Sequence, residues 1–264
     1  MKLRGLMLHG TVRRLSFTRH MTYCLGILTK DGIVMAADSR TNAGSDQVNT
    51  TRKMYSFTQP GKRAMFIATS GSLSCAQSVI TLLRRRFDKG EGLAAVETMY
   101  DAARVVGEVV REVAKTDREH LERDNMNFNV NLLLGGQIGG ESPQLYMIYP
   151  QGNPLRANED APFLQIGEVK YGRPILDRGV RYEKTSLQDA ARYALISLDS
   201  TMKSNVTVGP PIDLIMYPNN ELDVRRRRRF EPDDPLLTDI RQRWDRLLRD
   251  AVQTLPIINL QPEG

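Results

Sequence analysis

The chain has 264 residues, 41% of them hydrophobic and 26% charged, a composition that fits a soluble globular protein of one large domain, or of one domain with appendages. Its formal net charge is +6, but Lys2, Arg4, Arg13, Arg14 and Arg19 supply five of those six charges with no acid among the first 21 residues, so the rest is near neutral and makes no bulk electrostatic case for nucleic acid. No apolar run approaches the ~18 residues of a membrane helix. The two cysteines and three histidines give neither a disulfide framework nor a metal-ligand spacing.

Met1 to His20 is Arg-rich, with only Leu6-Met7-Leu8 as an apolar piece. That is too short for a signal-peptide core, although the composition is loosely like that of a transit peptide. Residues 1–21 therefore read as a mis-placed start with translation beginning at Met21, as a pro-segment cut before Thr22, or as a basic arm. Removing Met21 makes Thr22 a terminal residue with a hydroxyl and a free α-amine. A hydroxyl is a weak nucleophile that needs a base, and an α-amine titrating near ~7.7–8.0 can be that base. His9 and His20 lie in the leader and His120 in a charged stretch, so no Ser-His or Cys-His pair competes for the role.

From Thr22 onward the hydrophobic pattern predicts two hairpins. The first joins Tyr23–Leu28 to Ile33–Ala37 through an Asp31-Gly32 turn signal, and the second joins Lys53–Thr58 to Arg63–Thr69 around Pro60-Gly61. Ser70-Gly71-Ser72 leads into a predicted helix, Leu73–Phe87. A long amphipathic helix follows over about Gly92–Arg123, its apolar residues recurring at threes and fours. Strands are expected at Asn129–Gly135, Gln144–Tyr149 and Phe163–Tyr171. The pattern Ser186-Leu-Gln-Asp189 opens a helix to about Met202. Ile212–Tyr217 and Leu222–Arg226 complete the strands, and Asp233–Leu255 is a terminal helix. The run Gly135–Gly140 (Gly-Gly-Gln-Ile-Gly-Gly) reads as a strand-end turn, because the Lys-Ser/Thr ending and the following helix of a phosphate loop are missing. Arg225–Arg229 reads as an exposed strand end or subunit contact, with acids following it and no interleaved aromatics. The apolar stripe of the tail helix is expected to pack on its own domain or on a neighbour. Runs of strands followed by runs of helices predict an α+β protein of two face-to-face antiparallel sheets with helices outside each.

The run Thr22–Arg40, then Lys53, then the Ser70-Gly71 turn into a helix, resembles the proteasome β-subunit and HslV peptidases. Gln165–Pro174 and Leu198–Asn205 resemble in particular the bacterial proteasome-like branch called Anbu. The resemblance covers about residues 21–250. It implies an N-terminal-nucleophile hydrolase with a four-layer αββα sandwich over residues 22–227, a helical extension over 228–264, and a cytoplasmic homo-oligomer, ring or arc, acting on peptide or protein substrates without cofactor or metal. It implies neither a membrane nor a nucleic-acid partner, and leaves an ATPase partner open.

Carried over by position, Thr22 matches the nucleophile and Asp38, 16 residues on, the aspartate that holds the lysine and the threonine. Arg40 matches the adjacent basic position. Lys53 matches the lysine beside the nucleophile, at 31 residues, one fewer than usual. Gly71 matches the oxyanion glycine and Asp199 the aspartate near the amine; Ser204 is the accompanying serine, with Ser200 and Thr201 as competitors. Glu168 departs from the family, which has Gly-Ser-Gly where this chain has Gly167-Glu168-Val169. A carboxylate there would raise the amine's pKa or serve as another relay. Beside the threonine peptidase, two readings stay open: an amidase for small amides or isopeptides, and a silent scaffold with Thr22 blocked.

Overall fold

The structure is a computed structural model describing residues 22–42 and 48–260; the leader calls and the last four residues lie outside these. In chain order, β1 (Tyr23–Thr29) and β2 (Gly32–Asp38) form the first hairpin. Then come β3 (Arg40–Asn42), β4 (Val48–Thr50), β5 (Met54–Gln59) and β6 (Arg63–Gly71). Two helices follow, α1 (Leu73–Asp88) and α2 (Met99–Arg123). After them stand β7 (Val130–Ile138), β8 (Gln144–Ile148), β9 (Pro154–Arg156), β10 (Phe163–Gly167), α3 (Arg173–Gly179), α4 (Leu187–Ser204), β11 (Ile212–Pro218), β12 (Arg227–Phe230) and α5 (Pro235–Gln253).

Ten of these strands make two five-stranded antiparallel sheets, ordered β10-β1-β2-β11-β12 and β5-β6-β7-β8-β9. Side-chain alternation along a strand sorts the core into layers. On β1, Tyr23, Leu25 and Ile27 face α3, α4 and α5, whereas Cys24 and Leu28 face the other sheet. On β6, Met65 and Ile67 face α1 and α2, and Ala64, Phe66 and Ala68 face inward. The result is helix, sheet, sheet, helix, as the pattern of strands and helices predicts. Both faces of the central strands are buried, so β1, β2, β6 and β7 read as nearly continuous buried runs.

Several boundaries move for local reasons. The long helix begins at Met99 and not Gly92, because the Thr98 hydroxyl accepts the Asp101 amide at 3.1 Å as an N-cap; Gly92–Ala94 is a separate 3-10 turn. The strand expected over Phe163–Tyr171 stops at Gly167, and α3 follows with Pro174 in its first turn. The strand expected at Leu222–Arg226 is displaced to Arg227–Phe230, since Asn220 and Leu222 take left-handed turn conformations (φ 63° and 42°). An expected division after residue 227 thus falls inside β12. Of the run Gly135–Gly140, the last two residues form the turn that follows the end of β7 at Ile138; Gly135 and Gly136 lie within β7, where a Cβ on Gly135 would come within 2.7 Å of Met35 Sδ in the facing sheet. Ser186 caps α4 as its motif predicts, accepting the Asp189 amide at 3.1 Å. Both cysteines are buried and free, and His120 is exposed. No helix among the described residues is long and apolar enough to cross a membrane.

Candidate active site

Thr22 lies immediately before β1, its residue only 6% exposed. Register explains its neighbours. Pairing of Cys24 with Ala37 brings the end of β2 level with the start of β1. Asp38 Oδ1 there accepts the Tyr23 amide at 3.0 Å and Lys53 Nζ at 2.8 Å, and Oδ2 accepts the Gly209 amide at 3.3 Å. Lys53 stands just ahead of β5 and also donates to the Arg40 carbonyl at 2.6 Å. One fully buried carboxylate thereby ties β1, β2, the head of β5 and the segment before β11 to the residue beside Thr22. Burial pushes the Asp38 pKa above its ordinary value, opposed by the Lys53 charge and the hydrogen bonds from Lys53, Tyr23 and Gly209.

The other side of Thr22 is built by β10. Tyr23 pairs with Gly167, and the Glu168 amide donates to the Thr22 carbonyl at 2.8 Å. Gly167 has a φ of +87°, and a Cβ there would lie 1.8 Å from the Thr22 carbonyl oxygen. Gly167→Ala is therefore expected to cost well over ~1 kcal/mol and to displace Thr22; urea unfolding beside the parent chain measures it. The Glu168 side chain is buried. Asn205 Nδ2 donates to its Oε2 at 3.1 Å, and Lys170 Nζ stands 3.7 Å from Oε1. Below, the Tyr23 hydroxyl bonds Ser197 Oγ at 2.7 Å and accepts from Gln165, joining β1, β10 and α4. Burial raises its pKa to about 12, so it stays a neutral structural phenol.

Gly71 ends β6 next to α1, with φ +101°. A Cβ there would fall 1.9 Å from the Asn129 carbonyl, so no other residue fits without moving β7. The Arg40 guanidinium lies against Gly209 and donates to the Val206 carbonyl at 2.7 Å.

The structure thus gathers Asp38, Lys53 and Glu168 around the backbone of Thr22. No hydrogen bond among the described residues joins Asp199 or Ser204 to them. The Asp199 carboxylate is buried against α5, accepting Arg241 Nε at 2.5 Å. Ser204 is exposed at the last position of α4. Of its competitors, Ser200 is half-buried, and Thr201 is buried with its hydroxyl on the Ser197 carbonyl at 2.9 Å. The segment beyond the helix supplies contacts to the cluster: Asn205 on Glu168 and Gly209 on Asp38. The sequence signal for them is slight, a residue just past the helix and a glycine before Pro210-Pro211.

The family profile of proteasome subunits matches residues 18–216. The Anbu (ancestral β-subunit) structure from Yersinia bercovieri is 43% identical, with a TM-score of 0.85, and the match covers 91% of this chain and 100% of that one. The helical assembly of the Anbu complex from Pseudomonas aeruginosa is 44% identical with the same TM-score of 0.85, covering 90% of this chain and 98% of that one. A proteasome subunit beta from Haloquadratum walsbyi is 26% identical over 219 residues, which are 81% of this chain and 80% of that protein.

Proposed function

The chain belongs to the proteasome subunit family, among its Anbu proteins, and on that premise we propose that it is a threonine-type amide hydrolase whose peptide substrates are cut by Thr22 within a homo-oligomer. The observation that carries this reading is the Lys53–Asp38–Tyr23 amide arrangement, held rigidly one residue from Thr22. Freed of the residues before it, Thr22 offers its hydroxyl oxygen to the substrate carbonyl. The hydroxyl proton passes to the α-amine, directly or through a water. The new C–O bond makes a tetrahedral oxyanion, for which the Gly71 amide is the donor, a contact of a kind worth roughly 2.7–4 kcal/mol. The amide C–N bond then breaks, the leaving nitrogen takes the proton from the α-amine, and an ester remains on Thr22. Water hydrolyses the ester by the same proton route.

Lys53 supports the step electrostatically. Its ammonium has three N–H donors, of which Asp38 and the Arg40 carbonyl occupy two. The third has no hydrogen-bond partner among the described residues, and in this reading it serves the Thr22 oxygen. The positive charge favours the alkoxide and lowers the basicity of the nearby amine. Asp38 compensates that charge and fixes its place, as a buried ammonium requires.

Glu168 adds the opposite influence. Its buried carboxylate favours the protonated amine, and only the neutral amine can act as base, so activity must rise with pH through the amine's titration. Glu168→Gln removes the negative charge and keeps an acceptor for Asn205. The acid limb of the activity profile is expected to move to lower pH by roughly a unit, with the plateau rate retained. Loss of the plateau rate would instead make Glu168 a proton relay. The reading as a whole is tested by a panel of fluorogenic peptides and small non-peptide amides, with Thr22→Ala as control. Turnover of peptides that disappears in the variant supports it, and turnover of only the small amides contradicts the peptide assignment.

A further inference from the structure

The C-terminal end of the chain presents a mismatch that the proposed chemistry does not use. Beyond α5, Leu255, Ile257, Ile258 and Leu260 stand 65%, 87%, 84% and 87% exposed. Four large aliphatic side chains within six residues are seldom left to water. The same structure has an unfilled apolar groove of about 690 Å³ between α4, α5 and the β11–β12 edge of the first sheet. Its floor is Leu195, Leu214, Met216, Phe230, Ile240 and Trp244.

The rim is basic: Arg192, Arg226, Arg227 and Arg243 line it beside the single acid Asp239. Arg243 is paired to Asp239 and Arg192 to Asp189, whereas Arg227 has no ion-pair partner among the described residues. The sequence that follows the aliphatic tail carries Glu263 and no basic residue. Tail and groove are thus complementary twice, apolar centre to apolar centre and acid to basic rim.

The tail does not reach its own groove. The groove takes its α5 side chains from Leu236 to Leu247, and at 1.5 Å per residue Leu255 begins about 12 Å farther along the axis. Thr254 and Leu255 prolong the last turn, their amides donating to Ala251 and Val252 carbonyls at 3.1 and 3.2 Å. Pro256 then stops the helix, and no glycine from Thr254 to Leu260 offers a reversal. In a family with a helical assembly among its structures, a neighbouring copy is the available acceptor.

We infer that Leu255–Leu260 of one copy docks into the groove between α4, α5 and β11–β12 of the next. The groove then supplies a directional, head-to-tail contact, which extends an assembly without needing two-fold symmetry. This inference is independent of catalysis.

Trp244, the only tryptophan of the chain, sits in the groove and reports its occupancy. The test compares the full chain with a full-length variant carrying Leu255→Ser, Ile257→Ser, Ile258→Ser and Leu260→Ser, changes at exposed positions that leave the folded core untouched. Trp244 emission and sedimentation are followed across a dilution series. In the parent, emission is expected to shift to shorter wavelength as association proceeds. The variant is expected to associate at least about a hundredfold more weakly, since burial of even two of the four aliphatic side chains is worth a tenfold step or more each, and to keep the long-wavelength emission throughout. Equal association of parent and variant overturns the inference. So does a parent emission that differs from the variant at every dilution alike, which would mean that each tail fills its own groove.

Discussion

Lys53→Met lowers stability by about 3–5 kcal/mol, the usual cost of removing one partner from a buried ion pair. For a chain of this size that is a fall in Tm of roughly 10 °C. The Asp38 carboxylate is fully buried, and without the ammonium it keeps only the Tyr23 and Gly209 amides as donors. Methionine matches the lysine stem in length, so the loss is electrostatic rather than a cavity. The pH dependence separates the two causes. Burial already pushes the Asp38 pKa up, and Lys53 works against it; without Lys53 the folded-state value rises further above the unfolded one. A carboxyl raised in the folded state contributes its stability below the unfolded pKa and loses it as pH climbs to the folded pKa. The parent–variant difference is therefore expected to be small near pH 4 and to grow toward neutrality. Urea unfolding of both proteins at several pH values measures this. A pH-independent difference would assign the loss to packing.

Thr22→Ala is the largest expected effect on activity. The proposed nucleophile disappears while Asp38, Lys53 and Gly71 keep their places, because each is held by groups other than the Thr22 side chain. Peptide hydrolysis should fall at least about 10³-fold, as when the attacking group of other covalent hydrolases is removed. Labelling by threonine-directed electrophiles should vanish, and assembly should be unchanged in sedimentation. Retained labelling would place the nucleophile on another residue. Loss of assembly together with activity would make Thr22 a structural residue at the head of β1.

The legible part of this fold is the part written by local chemistry. Asp31-Gly32, the Pro60-Gly61 turn and the Ser186 cap each fix a backbone geometry within a few residues, and the elements they bound lie close to where the pattern puts them. Doubly buried strands such as β1 and β7 show as apolar runs. Residues whose placement depends on a distant partner were not legible. Asp199 has the type and approximate position of a site carboxylate, but Arg241, 42 positions on, pairs with it. Asn205 has no distinguishing pattern, and only the approach of β10 puts Glu168 beside it. Gly135 and Gly136 carry a turn composition, yet they lie in a strand: the facing sheet leaves no room for a side chain on Gly135, and the backbone of β6 leaves none on Gly136. The Asp38–Lys53 pair was legible only as a family spacing; its buried geometry follows from β1–β2 register and the head of β5, which no local rule states.

The central claim is that one residue, Thr22, supplies both the attacking oxygen and the amine that takes its proton. A peptide epoxyketone tests both at once, because stable ring closure on it uses a hydroxyl and an α-amine of the same residue. Protein purified from its native cells is weighed intact before and after treatment, and the adduct is mapped by fragmentation. The expected result is a chain beginning at Thr22 that gains one probe mass, all of it on Thr22. A chain that retains residues before Thr22, or one that begins there and gains no probe on that residue, would contradict the account.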